Sequence, residues 1–370
     1  MRRDPLLALA AVGLTLLLVA CGVPMKEEGT PSPNAGAPPA EGTGQTTGQA
    51  GQTVVRPTPG TPAPTVKPTT PSPGETPSCY QPTPEEPALE GTPVEPSQRI
   101  TSPSPVPTPS PYEPLPLQED TTLEARLREA LGDEVDSYGV VVKSLKDGRG
   151  ALINPDKVFY AASLFKVAVM YEVFHQRSLG LLSFDEPLLV TPYYASFDLG
   201  TLPIGVCQTL TIGEALGYMM SISDNVSAVL LQDRVGAANI NRSMAALGLT
   251  TTRLLSDDLP ATASDMALLM EMIARGQAVD AGASQEMLNL LTSEELDNGL
   301  RAGVPEGTLV AHKTGNWTNA TNDAGIVYAP GDTYVIAVLS DKEYETKPIA
   351  KVSQVVFEYY TGEVGHDEGE

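Results

Sequence analysis

From about residue 118 onward the chain alternates hydrophobic and polar stretches that can be read as elements. Leu123–Leu131 reads as a helix. Ser137–Leu145 and Ala151–Asn154 read as strands joined across Lys146-Asp147-Gly148-Arg149, which is a hairpin signal. Ala161–Phe174 is apolar at nearly every position, which predicts a buried helix rather than an amphipathic surface one. Helical runs continue through Leu210–Met220 and Val226–Val235 to about Leu291. Thr308–Thr314, Ala324–Tyr328 and Thr333–Leu339 then read as strands, and Pro348–Tyr360 as a last helix. Strands at both ends with helices between them predict an α/β chain of α+β type, with one antiparallel sheet built from its two ends.

The first 117 residues have a different character. Arg2-Arg3, an apolar run from Leu6 to Ala20 and small residues before Cys21 form a bacterial secretion signal over 1–20. The run is short for a membrane span, which needs about 20 apolar residues. Leu18-Val19-Ala20-Cys21 resembles the lipobox of bacterial lipoproteins, which implies lipidation of Cys21 and an extracytoplasmic domain anchored to the cell membrane. Residues 21–117 hold 25 of the chain's 34 prolines, mixed with Thr, Ser, Gly and Glu. Such a composition buries no core, so a disordered tether is expected. Fully extended it would reach on the order of 300 Å. Residues 118–364 are then the globular domain and 365–370 an acidic tail.

Charge and cysteines narrow the function classes. From residue 118 there are 36 acidic and 17 basic residues, which argues against nucleic acid and anionic lipid as partners. Cys79 and Cys207 remain once Cys21 is lipidated. Free thiols are expected because Cys79 lies deep in the tether, with a 79–207 bridge as the alternative. Three histidines and no cysteine–histidine spacing give no metal site, and no cofactor is expected. A monomer is expected.

Three strings carry candidate chemistry. Ser163-Leu164-Phe165-Lys166 sets a hydroxyl and an amine three apart on one helix face. A serine needs a base within reach, and a lysine in apolar surroundings loses hydration and becomes one. Near a helix start, free N–H groups favour developing negative charge. Ser223-Asp224-Asn225 falls between two helical runs, where cap and turn residues are also expected without any chemistry. Lys313-Thr314-Gly315 ends a strand. His312 adjoins it, and an outward strand position is expected for that side chain.

The trio, in this order, resembles the signature of class A β-lactamases and penicillin-binding serine hydrolases. Leu300–Pro305, Thr321-Asn322-Asp323 and Leu210–Glu214 extend the resemblance, which covers roughly residues 120 to 362. It implies a five-stranded antiparallel sheet flanked by helices, plus an all-helical subdomain, with the site in the cleft between them. It also implies Ser163 as acylated nucleophile, Lys166 as proton acceptor or relay, and Ser223 as proton donor to the leaving nitrogen. Lys313 would hold Ser223, Asn225 the substrate's acylamino side chain, and Thr314 its carboxylate. The backbone N–H groups of Ser163 and Asn316 would form the oxyanion hole. Asp224 reads as structural.

Two departures stand out. The Glu-x-x-Leu-Asn motif whose glutamate activates the deacylating water in class A enzymes is absent. The corresponding stretch is Thr250–Asp265, where Asp257 or Asp258 either substitutes or simply forms a polar turn, and Thr262–Asp265 opens the next helix as a capping-box variant. No arginine follows Arg301, so Lys342 or Lys347 would have to read a substrate carboxylate. Three functions stay open: a surface-anchored β-lactam hydrolase with slow deacylation, a D,D-peptidase-like enzyme on D-Ala-D-Ala-type wall peptides, and a non-catalytic wall-peptide binder. Retention of the nucleophile counts against the binder.

Overall fold

The computed structural model describes residues 54–56, 99–201 and 204–362. The signal segment, Cys21, Cys79, most of the tether and the tail 365–370 lie outside the described residues.

A two-residue strand β1 (Gln118–Glu119) leads into α1 (Thr121–Leu131), capped by the Asp120 carboxylate, which accepts from the N–H groups of Thr122 and Leu123. Leu123, Leu127 and Leu131, four apart, bury its inner face. The hairpin strands β2 (Tyr138–Ser144) and β3 (Arg149–Ile153) follow, turning at Gly148, whose φ of 79° suits glycine. The helical part runs from β4 (Phe159–Tyr160) through α2 (Phe165–Ser178), β5 (Pro187–Leu189), α3 (Pro192–Ala195), β6 (Thr209–Thr211), α4 (Ile212–Ser221), α5 (Asn225–Val235) and α6 (Ala237–Leu247). It continues through β7 (Pro260–Ala261), α7 (Ala263–Ala274) and α8 (Ala281–Leu291). The chain then returns as β8 (Leu309–Trp317), β9 (Ala320–Ala329), β10 (Asp332–Ser340) and α9 (Lys347–Thr361).

The sheet order is β1-β3-β2-β10-β9-β8, antiparallel except that β1 pairs parallel to β3. The five expected strands are thus present, with β1 an added edge. β10, from the end of the chain, pairs with β2, from its start, through Tyr334↔Ser144 to Ser340↔Tyr138. Strand alternation divides the interior into two cores. Val140, Val142, Tyr334, Ile336 and Val338 pack with α1 and α9, while Val141, Val335, Ala337 and Leu339 pack with the helical part. The small pairs β4–β7 and β5–β6 were not legible as strands.

Residues 99–117, which the sequence places within the tether, lie against the domain. Arg99 makes a two-pronged ion pair with buried Asp233, at 2.6 Å for both contacts. Val106 N–H donates to Asn239 Oδ1, and the Pro107 carbonyl lies 2.9 Å from His175 Nε2. Tyr112 Oη and Leu115 N–H both donate to Glu271, a fully buried carboxylate that also pairs with Lys143 and Arg275. A proline-rich strand has few N–H groups to offer a sheet, so it is held through carbonyls and isolated donors by side chains. Cys207 is disulfide-bonded rather than free, its partner lying outside the described residues. As the course of residues 99–117 illustrates, distance along the chain is a poor guide to distance from the fold.

Candidate active site

The nucleophile turn is built by force from three sides. Ser163 lies in a single 3₁₀ turn, Ala162–Leu164, directly before α2, and Ala162 has φ of 46°, a left-handed conformation that costs a side-chain-bearing residue energy. Buried Asn322 on β9 holds the turn by donating to the Tyr160 and Ala161 carbonyls, while its Oδ1 accepts from Ser340 N–H. The Ala161 N–H in turn bonds the Leu259 carbonyl at 2.7 Å. On the third side is Gly315, where an added Cβ would lie 2.6 Å from the Ala161 oxygen and 3.2 Å from the Ser163 nitrogen. The glycine of the third string is therefore required by the approach of β8 to the backbone of the first.

The second string forms the turn between α4 and α5, with Ser223 at φ of 57°. Asp224 is structural, as expected. Its carboxylate caps α5 by accepting from Ser227 N–H at 2.6 Å and also accepts from the Thr201 hydroxyl at 3.0 Å. Asn225 opens α5.

Lys166 joins these pieces. Its side chain is fully buried, and its ammonium donates to the Ser223 carbonyl, to Ser223 Oγ at 3.0 Å and to Asn225 Oδ1 at 2.9 Å. Burial, then the nearby Lys313 charge, lowers its pKa from 10.5 to about 7, with Asp224 and Glu294 partly opposing. The Ser163 hydroxyl, partly exposed, has no side-chain hydrogen-bond partner among the described residues. A proton leaving it has Lys166, one turn along, as the available base, directly or through Ser223 Oγ.

Lys313 and Thr314 depart from expectation. Among the described residues Lys313 does not bond Ser223. Its buried ammonium pairs with Glu294, and the Thr314 hydroxyl donates to the other Glu294 oxygen at 2.9 Å. Glu294 follows α8 in a segment tied to α4 by Glu295 N–H on the Ser221 carbonyl. Burial pushes Glu294 up and Lys313 down, each against the pull of the other's charge. Glu294 was missed in the sequence. The one available signal was that a lysine on a buried strand demands an anion.

The remaining candidates fall around this centre. Asn316 follows Gly315 on β8 and keeps a buried Oδ1 without a hydrogen-bond partner. His312 is buried rather than outward, with Nδ1 on Asp323 at 2.9 Å. Burial alone would lower its pKa, but the Asp323 carboxylate raises it. Asp257 and Asp258 lie on an exposed turn whose Leu259 carbonyl bonds Ala161. Asp258 is near enough to Tyr160 to reinforce the upward shift that burial gives that phenol. Lys342, considered for carboxylate recognition, instead pairs with Glu134 at 2.7 Å.

The model of the beta-lactamase enzyme family matches residues 122–360, all but the edges of the domain just described. The chain belongs to that family. It is 27% identical over 253 residues to the extended-spectrum beta-lactamase PER-1 of Pseudomonas aeruginosa, covering 60% of this chain and 82% of the relative. Among solved structures it resembles PBP-A, with 26% identity, a TM-score of 0.63, and coverage of 67% of this chain and 98% of that one. A point mutant of PBP-A, solved as an acyl-enzyme complex with penicillin G, matches at 25% identity and the same TM-score over 67% of this chain and 99% of that one. The protein is thus a serine β-lactamase-like hydrolase in family and fold.

Proposed function

We propose that the protein opens β-lactam amides through an acyl-enzyme on Ser163 and releases the acyl group slowly. The observation that carries this is the placement of Lys166, buried, lowered toward neutrality and hydrogen-bonded to both Ser223 and Asn225. Ser163 Oγ attacks the ring carbonyl while its proton passes to Lys166. The Ser163 and Asn316 N–H groups receive the oxyanion, and Ser223 protonates the departing nitrogen and is reprotonated by Lys166. Deacylation needs a second base. The exposed turn carrying Asp257 and Asp258, in place of the usual loop glutamate, is the basis for slow release, with one of the two aspartates as the candidate base.

A second reading, a D,D-peptidase-like enzyme on wall peptides, shares the acylation chemistry. It is favoured by the missing glutamate and by the likeness to PBP-A. We infer a lipid-anchored, extracytoplasmic location from the N-terminal sequence alone. Stopped-flow reaction of the full-length chain with a chromogenic cephalosporin separates the readings. Slow steady turnover supports the β-lactam hydrolase, and a single equivalent of product without turnover supports the peptidase. No burst, no turnover and no adduct would refute both.

A further inference from the structure

By the resemblance Thr314 would bind the substrate's carboxylate and Lys313 beside it would hold Ser223, yet both are already held by a carboxylate of the chain itself. Lys313 is 0% exposed and Thr314 3%, and each bonds one oxygen of Glu294. The Lys313–Glu294 pair has a net charge of zero whichever atom holds the shared proton, so it offers an incoming anion no net attraction. The lysines considered in its place do not take over. Lys342 is bonded to Glu134, and Lys347 stands at the start of α9 in a groove lined by Gly303, Val304 and Lys351. Lys166 must lose its charge to act as base. A second carboxylate brought against buried Glu294 would meet a like charge with one shared ammonium between them.

We propose that Glu294 is a specificity-determining residue that occupies the carboxylate subsite, so that the enzyme favours acyl donors whose leaving portion carries a neutral group where a free carboxylate would otherwise bind. The proposal rests on acylation at Ser163. It separates this chain's substrates from carboxylate-bearing ones by chemistry rather than by size. Glu294 also opposes the lowering of Lys166, so its neutralisation leaves Lys313 to depress that amine further.

The test compares benzylpenicillin with its methyl ester on the full-length chain, with Ser163 acylation followed by intact mass. The ester should acylate the native protein at least as fast as the acid. Glu294→Gln should raise the rate for the acid by about tenfold while changing the ester little, since only the acid meets the removed charge. The acid limb of its pH profile should also move to lower pH, which loss of structure alone would not produce. A native protein that prefers the acid by about tenfold, or a variant that changes both compounds alike, overturns the proposal. Should Glu294→Gln fail to fold, the native acid-to-ester ratio decides. If neither compound acylates the native protein, the acylation reading fails by itself. Reversible binding then decides, read through Trp317, the chain's only tryptophan, half-exposed at the end of β8. Ester binding at least as tight as acid binding supports the proposal, and tighter acid binding, or binding of neither, overturns it.

Discussion

Following acylation of the full-length chain from about pH 5 to pH 9 isolates the proton acceptor, because a lysine base works only when neutral. With a pKa of 10.5, roughly one Lys166 in 3,000 would be neutral at pH 7, whereas at about 7 half would be. At about 1.4 kcal/mol per pH unit, that difference corresponds to about 5 kcal/mol between the two protonation states. Burial contributes most, Lys313 adds to it, and Asp224 and Glu294 oppose. The sign follows directly. Below the folded pKa the amine is charged, and each unit of pH gained should raise acylation about tenfold until a plateau above about pH 7. The assay is the burst rate with a chromogenic cephalosporin. Lys166→Arg supplies the control, since a guanidinium stays charged at every accessible pH. Its burst rate should fall by about 10²–10⁴-fold with no recovery at high pH. A flat native profile, a rise still continuing at about pH 9 with no plateau, or an active arginine variant would refute the role given to Lys166.

Asn322→Ala removes two hydrogen bonds to the nucleophile turn and a third to β10, and should cost about 2–4 kcal/mol in denaturant unfolding, with slower Ser163 labelling in the molecules that remain folded. Glu271→Ala leaves Lys143 and Arg275 without their buried carboxylate and takes the acceptor from the Tyr112 hydroxyl and the Leu115 N–H, with only the Leu115 carbonyl still held by Lys143. A loss of about 3–5 kcal/mol and new proteolytic cleavage within residues 99–117 are expected. Asp258→Asn should make the acyl-enzyme persist in intact mass spectra after excess β-lactam is removed. Unchanged turnover excludes that side chain as the deacylation base.

The sheet was legible because its strands are covered on both faces and so read as short continuous apolar runs, such as Val140-Val141-Val142. Lys166 was legible because Ala161–Phe174 is apolar at nearly every position, and a cation there must neutralise or find acceptors. Glu294 was not, since its partners are 19 and 20 positions away and an ion pair of that reach leaves no period in the sequence. Residues 99–117 were hidden for another reason. Proline-rich composition predicts the lack of a core, and this segment has none of its own, being held by Asp233, Asn239 and Glu271 on α5, α6 and α7. His312 was expected to face outward from its strand, but it is buried, with Asp323 on β9 as its partner, a contact that leaves no local signal in the sequence.

The most direct test of the whole account is peptide mapping of the full-length chain after brief exposure to a β-lactam. A mass increase equal to the intact β-lactam, confined to the peptide carrying Ser163 and absent from Ser163→Ala, is the expected result. An adduct on any other residue, or an undiminished adduct in the folded Ser163→Ala chain, would contradict it.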